Sequence, residues 1–280
     1  MSDEISKSSP AAGVETAKRA DMSYSDYLKL DDILNAQAPR SDAHDEMLFI
    51  VQHQASELWM RLAIYEMDAA RAAIARSELQ PAMKMLRRVT GIFAQLNSAW
   101  DILRTMTPSE YTMFRDHLGE ASGFQSWQYR RIEFIVGNRN AAQVGVHKKR
   151  ADVIAALEAE LARPSLYDET VRFLLRSGFE IDPKTVNRDL AKKYQACDSV
   201  REAWRIVYED PDTHWPCYEL AEKLVDFEDY FRRWRFNHVT TVERVIGFKS
   251  GTGGTDGVNY LKKMLDTVLF PELWSVRTSL

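Results

Sequence analysis

Two very long stretches of this sequence carry apolar side chains at helical spacing, and they constrain the fold more than any other feature. One runs from Ser41 or Asp42 to about Glu78 and the other from Thr213 to about Ile246. Only 12 glycines and 9 prolines interrupt the 280 residues, below the average usage of roughly 12%. Helices this long need partners along their length to bury their apolar faces. The sequence therefore predicts long antiparallel helices packed in a bundle.

The remaining segments also indicate helices, and no alternating run is long enough for a sheet. We expect an all-α protein with a disordered tail at residues 1–20 and a single helical-bundle domain at 21–280, in which residues 141–210 could form a small helical insertion. A short helix is expected to begin after Ser23, a plausible N-cap, and to stop at Ala38-Pro39. Shorter helices are also expected at 184–194 and 258–269, among others. In the first long helix, one apolar face is predicted to be buried. Its members are Leu48, Val51, Leu58, Leu62 and Tyr65.

Composition excludes several classes of protein. The formal net charge of −4 gives no electrostatic footprint for nucleic acid. Cys197 and Cys217 are the only cysteines, so there is neither a disulfide framework nor a CxxC metal motif. No apolar run is long enough to span a membrane, and residues 1–20 have no apolar signal region. We expect a cytoplasmic protein with reduced thiols.

Two of the six histidines stand on apolar faces of the long helices. His238 shares its face with Trp234 and Val242, and His53 shares its face with Phe49. Each could be an ordinary core histidine with a hydrogen-bonded ring, which is the commoner case. A neutral imidazole in a helical bundle is also a suitable axial ligand for haem iron. A second imidazole on the opposite side could orient a substrate.

Two further segments could bind charged or polar groups. The start signal Thr107-Pro108 opens a helix that puts Tyr111 and Arg115 four residues apart. Arg115 could grip a carboxylate, or it could be a surface arginine paired with a neighbouring acid. The glycine-rich loop at 251–257 matches neither a P-loop nor a Rossmann pattern. It could be a plain connection, or a mobile loop in which Thr252 offers a hydroxyl.

Four groups of motifs, in order along the chain, resemble the tryptophan 2,3-dioxygenase family. The first is FIVQHQ at 49–54 with SELW at 56–59, and the second is TPSEY at 107–111 with FRD at 114–116 and SGFQS at 122–126. The third is WRF at 234–236 with His238, VIGFK at 245–249 and GTGG at 251–254. The last is FPELW at 270–274 with VRT at 276–278. The resemblance runs from about Tyr24 to Thr278.

The resemblance implies an enzyme with one haem b per subunit, whose iron is ferrous in the active form. The enzyme adds both atoms of O₂ across the indole C2–C3 bond of L-tryptophan. The product is N-formyl-L-kynurenine, in the first step of the kynurenine pathway. By similarity, His238 is the iron ligand, His53 accepts the indole N–H, Arg115 binds the carboxylate and Thr252 the ammonium group. Other pocket residues implied by similarity are Phe49, Tyr111, Leu118, Ser122 and Gly123, the last two also near the haem, with Trp100 at the haem edge.

Members of the family are homotetramers, arranged as a dimer of dimers. In them, an N-terminal helix completes the pocket of a neighbouring subunit. Tyr24, Tyr27 and Leu28 match that helix. The resemblance implies no nucleic-acid or membrane partner. Three other readings stay open at this point: an indoleamine dioxygenase-like enzyme of broader substrate range, a haem sensor or carrier without chemistry, and a helical interaction module without haem.

Overall fold

The structure is a computed structural model that describes residues 22–248 and 258–280. Every regular element in these ranges is helical. The long helices are α3 (His44–Ala75), α4 (Leu79–Leu103) and α11 (Trp215–Ile246). The shorter ones are α1 (Tyr24–Leu28), α2 (Leu30–Leu34), α5 (Pro108–Arg115), α6 (Trp127–Ile135), α7 (Ala151–Leu161), α8 (Leu166–Arg176), α9 (Pro183–Val186), α10 (Asp198–Glu209), α12 (Val258–Leu265) and α13 (Pro271–Ser275). The all-α prediction is confirmed.

The chain divides into two compact units, one ending at Ala38 and the other beginning at Pro39. In the described part of the first unit, Ser23 caps α1 with a capping box, accepting from the backbone N–H of Asp26. Lys29 then adopts a left-handed conformation with φ 54° and separates α1 from α2. The sequence predicted one short helix in this region; the left-handed residue makes it two.

In the second unit, α4 lies between the other two long helices, packing against both α3 and α11. Helices α6 and α8 pack on α3, and α12 on α11. The largest core cluster spans the three long helices with α6 and α8, and it includes Leu166 and Trp204 from the segment in which a small insertion was expected. That insertion stays a prediction. Within the described ranges, no helix is long and apolar enough to cross a membrane.

The predicted buried face of α3 is wrong. Val51, Leu58, Leu62 and Tyr65 are 46, 56, 41 and 72% exposed, and Leu48 is half-buried. The face that packs in the core instead alternates alanines with larger apolar side chains. Its members include Met60, Ala63, Ile64, Met67, Ala70 and Ile74. The alanines leave room for α4 to pack closely against α3, and this stripe is the one that is buried.

The predicted helix at 184–194 is also largely wrong, since only Pro183–Val186 is helical. The Nη1 of Arg188 donates to the carbonyl oxygens of Asp189 and Lys192, at 3.1 and 2.6 Å. Its Nε donates to the carboxylate of Asp168 on α8, at 2.7 Å. The Arg188 side chain, which is held by α8, therefore supplies hydrogen bonds to these two carbonyl oxygens. Because they already have a donor, they do not need the hydrogen bonds of a helix.

Candidate active site

A cavity of ≈ 260 Å³ lies among α3, α4, α6, α11 and α12 and the segment that follows α5. Its walls are mainly apolar and aromatic, and the long helices bring together groups far apart in sequence. Apolar lining side chains include Leu103, Met106, Leu118, Val239, Val245 and Leu261. A cavity with mostly apolar walls and a few polar groups is typical of a small-molecule or cofactor site.

His238 projects from the C-terminal third of α11 into this cavity. Its ring stacks on Trp100 at a centroid distance of 5.2 Å and an interplanar angle of 20°, and lies 5.4 Å from the ring of Trp234. The surrounding residues form no hydrogen bond with the imidazole in the part of the chain that the structure describes. Burial, reinforced by the nearby His53, lowers the pKa of His238 to about 4. The imidazole is therefore neutral near pH 7 and has a lone pair available to a ligand or metal.

His53 faces the same cavity from α3. Its Nδ1 lies 2.7 Å from the carbonyl oxygen of Phe49. Because a carbonyl only accepts, Nδ1 carries the proton and Nε2 is the acceptor. Burial lowers the pKa of His53, against opposing effects of the Phe49 hydrogen bond and of the Glu57 carboxylate. The site therefore holds a neutral imidazole with a fixed tautomer, suited to accepting a hydrogen bond.

An aromatic cluster forms one end of the cavity. The ring of Phe49 lies 4.2 Å from His53, 5.4 Å from Phe114 and 6.1 Å from Tyr111. The helix α5 that carries Tyr111 begins with the predicted capping box at Thr107. Burial raises the pKa of Tyr111, and the positive charge of Arg115, together with a side-chain hydrogen bond between the two residues, opposes that effect. The Arg115 guanidinium is therefore close to the Tyr111 hydroxyl.

The structure brings together most of the residues implied by the resemblance. Those that line the cavity are Phe49, His53, Trp100, Tyr111, Leu118, Ser122, Gly123 and His238. Arg115 stands behind Tyr111 and is not among the lining residues. Tyr24, Tyr27 and Leu28 belong to the other compact unit, and Thr252 lies outside the described residues.

A buried ionic group at the other end of the cavity was missed by the sequence analysis. Glu133 is fully buried and pairs with Arg130, and also with Arg235, whose Nη2 lies 2.9 Å from Oε1. The Nε of Arg235 donates to the hydroxyl of Tyr129 at 3.2 Å. Burial, with the Glu133 charge, raises the pKa of Tyr129 to about 12. A sequence signal existed: charged residues interrupt the apolar face of α6.

Glu57 also lines the cavity, one turn after His53. The side-chain amide of Gln128, on α6, donates to both the carboxylate and the backbone carbonyl of Glu57, at 2.7 and 2.8 Å. These bonds tie α3 to α6 beside the site. Over 22–248 and 258–280, no group of three or more His, Cys, Asp or Glu side chains could hold a metal ion.

Comparison with known proteins gives one consistent result. The profile of the tryptophan 2,3-dioxygenase family matches residues 8–163 and 160–280. A tryptophan 2,3-dioxygenase of Bradyrhizobium diazoefficiens is 65% identical over 268 residues, which cover 96% of each chain. Tryptophan 2,3-dioxygenase 1 of Ralstonia nicotianae is 60% identical over 92% of this chain and 88% of its own. The enzyme of Bordetella pertussis is 58% identical over 93% of this chain and 92% of its own.

Proposed function

The chain belongs to the tryptophan 2,3-dioxygenase family, and we propose that it cleaves the indole C2–C3 bond of L-tryptophan with O₂ in a haem-dependent reaction. The product is N-formyl-L-kynurenine, formed in the first step of tryptophan degradation by the kynurenine pathway. One observation carries the proposal at this site. Two neutral imidazoles from different helices face a single cavity, and one of them has its acceptor nitrogen fixed by a backbone hydrogen bond.

The cavity residues fit a haem b. The iron needs one protein donor with an available lone pair, and His238 offers it from the C-terminal third of α11. The indole Nε1 of Trp100 is buried and has no hydrogen-bond partner among the described residues, so it is a donor suited to a polar edge of the cofactor. Arg130 and Arg235 share the single Glu133 carboxylate, which leaves a net positive charge beside the cavity for the haem carboxylates. When bound, the ferrous haem, one per subunit, supplies the oxygen chemistry.

The protein's own part in the reaction is to bind and orient the substrate. The Nε2 of His53 accepts the indole N–H, which fixes the ring without the need for a strong base. Phe49, Tyr111 and Leu118 form apolar walls. Ser122 and Gly123 also line the cavity, and the family resemblance assigns them to both substrate and cofactor.

The zwitterionic end of tryptophan needs one anion site and one cation site. Arg115 binds the carboxylate in this proposal, and the Tyr111 hydroxyl that it contacts gives the same group a second donor. Thr252 holds the ammonium group, a role based on the family resemblance.

We further propose that the enzyme is a cytoplasmic homotetramer, a dimer of dimers. In it, the N-terminal helix with Tyr24, Tyr27 and Leu28 completes the pocket of a neighbouring subunit. Two observations support this assembly. Tyr24 and Tyr27 are both 74% exposed, and the described residues leave an apolar stripe of α3 exposed. Large exposed apolar patches mark interaction surfaces.

The test is an optical spectrum of the purified, reduced protein, followed by addition of L-tryptophan and air. We expect a Soret band and tryptophan-dependent growth of the N-formylkynurenine absorbance. His238→Ala should lose the Soret band, while His44→Ala, at the exposed start of α3, should retain both signals. A Soret band without product would instead indicate a haem sensor or carrier. No band after reconstitution with hemin would contradict both the cofactor and the role of His238.

A further inference from the structure

A polar seam joins the end of α4 to the turn of α11 that carries His238. Arg104, directly after α4, extends its guanidinium across this turn. Its Nε donates to Thr241 Oγ1 at 2.9 Å, and its Nη2 donates to Asn237 Oδ1 and Thr240 Oγ1, both at 2.9 Å. The acceptors therefore lie one residue before His238 and two and three residues after it. A single side chain thus binds α11 on both sides of this histidine.

Three other hydrogen bonds extend the seam between α4 and α11. The Nδ2 of Asn237 donates to Asn97 Oδ1 at 2.9 Å, and the Nδ2 of Asn97 donates to the carbonyl oxygen of Tyr230 at 3.0 Å. On the other side, the Nε of Arg244 donates to the carbonyl oxygen of Arg104 at 3.3 Å. Between Tyr230 and Arg244, polar contacts thus join α11 to Asn97 of α4 and to Arg104. Most of α11 packs instead through apolar side chains.

These contacts matter because of what surrounds the imidazole itself. A histidine that binds a metal usually donates its other ring N–H to a carboxylate or carbonyl, which fixes the ring. Within the described ranges, His238 has only the faces of Trp100 and Trp234 as close ring partners. Ring stacking restrains rotation of the imidazole about its side-chain torsions, but it does not fix the position of the backbone from which the ring projects. The direction of the ring must therefore be set by the rotation and register of α11.

We propose that Arg104 is a positioning residue for His238: by fixing the turn from Asn237 to Thr241, it sets the direction in which the imidazole meets the iron. The planar guanidinium reaches three side chains at once, which a lysine ammonium could not do with fixed geometry. The proposal rests on His238 being the iron ligand, as stated under Proposed function. Arg104 itself does not line the cavity.

The experiment compares Arg104→Met with Arg88→Met in the haem-loaded enzyme. Arg88 is a matched control, because it lies on α4 and pairs with Glu66 on α3 rather than with α11. Two quantities are measured: the rate of haem transfer to excess apomyoglobin, and the iron–histidine stretching frequency of the ferrous protein by resonance Raman. We expect Arg104→Met to raise the transfer rate about tenfold, the lower end for loss of a supporting residue, and to shift or broaden the iron–histidine band. Arg88→Met should match the wild type in both.

A purely structural role would lower the melting temperature but leave the iron–histidine band unchanged, and that result would overturn the proposal. If Arg104→Met does not fold, Thr240→Val removes one acceptor, keeps the side-chain shape and leaves the cavity lining intact. Thr240→Val should change the haem-transfer rate and the iron–histidine band in the same direction as Arg104→Met, by a smaller amount. Wild-type values for both would again overturn the proposal. Absence of any iron–histidine band in the wild type would instead contradict the role of His238.

Discussion

At the scale of single residues, the two histidines of the cavity show how the surroundings assign a role to a side chain. His53 has its Nδ1 proton committed to the Phe49 carbonyl, so its Nε2 can only accept. His238 has no such commitment within the described residues and packs against two indole rings. The first environment suits recognition of an N–H donor, and the second suits metal ligation. The same residue type thus supports two different functions in one cavity.

The lowered pKa of both histidines predicts a pH dependence of the haem-free protein. The folded state disfavours the imidazolium, whereas an unfolded histidine has a pKa of about 6.5. Between that value and about 4 for His238, the unfolded chain binds more protons. The free energy of unfolding therefore falls as the pH falls, by up to ~1.4 kcal/mol per pH unit for each histidine.

Urea denaturation of the haem-free protein at several pH values from 7 to 5 measures this effect. His238→Phe keeps a ring against Trp100 and removes the titration, so its free energy of unfolding should fall less steeply than that of the wild type. If the free energy of unfolding changes equally with pH in both proteins, His238 is protonated as easily in the folded protein as in the unfolded chain.

Arg115→Ala should weaken tryptophan binding and leave haem content unchanged, because the guanidinium lies behind Tyr111 at the aromatic end of the cavity. Loss of a charge-assisted pair with the carboxylate corresponds to about 2 kcal/mol, or roughly a thirtyfold rise in KM if substrate binding is at equilibrium. Steady-state kinetics with L-tryptophan measure it. Tryptamine, which lacks the carboxylate, is the matched substrate: Arg115→Ala should not further impair its binding, and an equal loss for both compounds would contradict the assignment.

At the scale of elements, α3 has two apolar faces with different partners. The face with Ala63, Met67 and Ala70 is fully buried against the bundle. The face with Val51, Leu58 and Leu62 remains open in the single chain. A helix that is apolar on more than one side requires more than one packing partner. The open face therefore supports the proposed assembly of subunits.

Leu62→Glu should disrupt this assembly, because it places a charge in a surface that would otherwise be desolvated. Sedimentation velocity or light scattering should show a shift from tetramer to smaller species. Leu175→Glu on α8 is the matched control, since Leu175 is 44% exposed and Leu62 is 41% exposed. An unchanged tetramer for Leu62→Glu would place the interface elsewhere.

At the scale of the whole molecule, two buried carboxylates anchor the C-terminal segment to the bundle. Glu228, on α11, accepts from the backbone N–H groups of Leu269 and Phe270 at 2.7 and 3.0 Å, and from the indole of Trp274 at 2.7 Å. Glu272, on α13, accepts from two tyrosine hydroxyls and one backbone N–H. These donors are Tyr167, Tyr194 and Cys197, at 2.9, 2.8 and 2.7 Å. The end of the chain is thus tied to α8, α10 and α11 together.

Glu272→Ala should lower the free energy of unfolding by about 3 kcal/mol or more, because it leaves three buried donors without an acceptor. Glu202→Ala is the control: it removes an exposed partner of Arg205 and should cost less than about 1 kcal/mol. Urea denaturation at pH 7 compares the two variants. Equal small losses would mean that water replaces the carboxylate in the core.

The sequence by itself determined the helical class, the two longest helices and the caps at Ser23 and Thr107, because these depend on local spacing and local hydrogen bonds. The histidines of the site were also visible, since each stands on an apolar helical face. The tertiary structure alone decided which stripe of α3 is buried, because two faces compete and only the packing of α4 selects between them. It also decided the ionic group around Glu133 and the seam at Arg104. Their partners are remote in sequence, so periodicity carries no information about them.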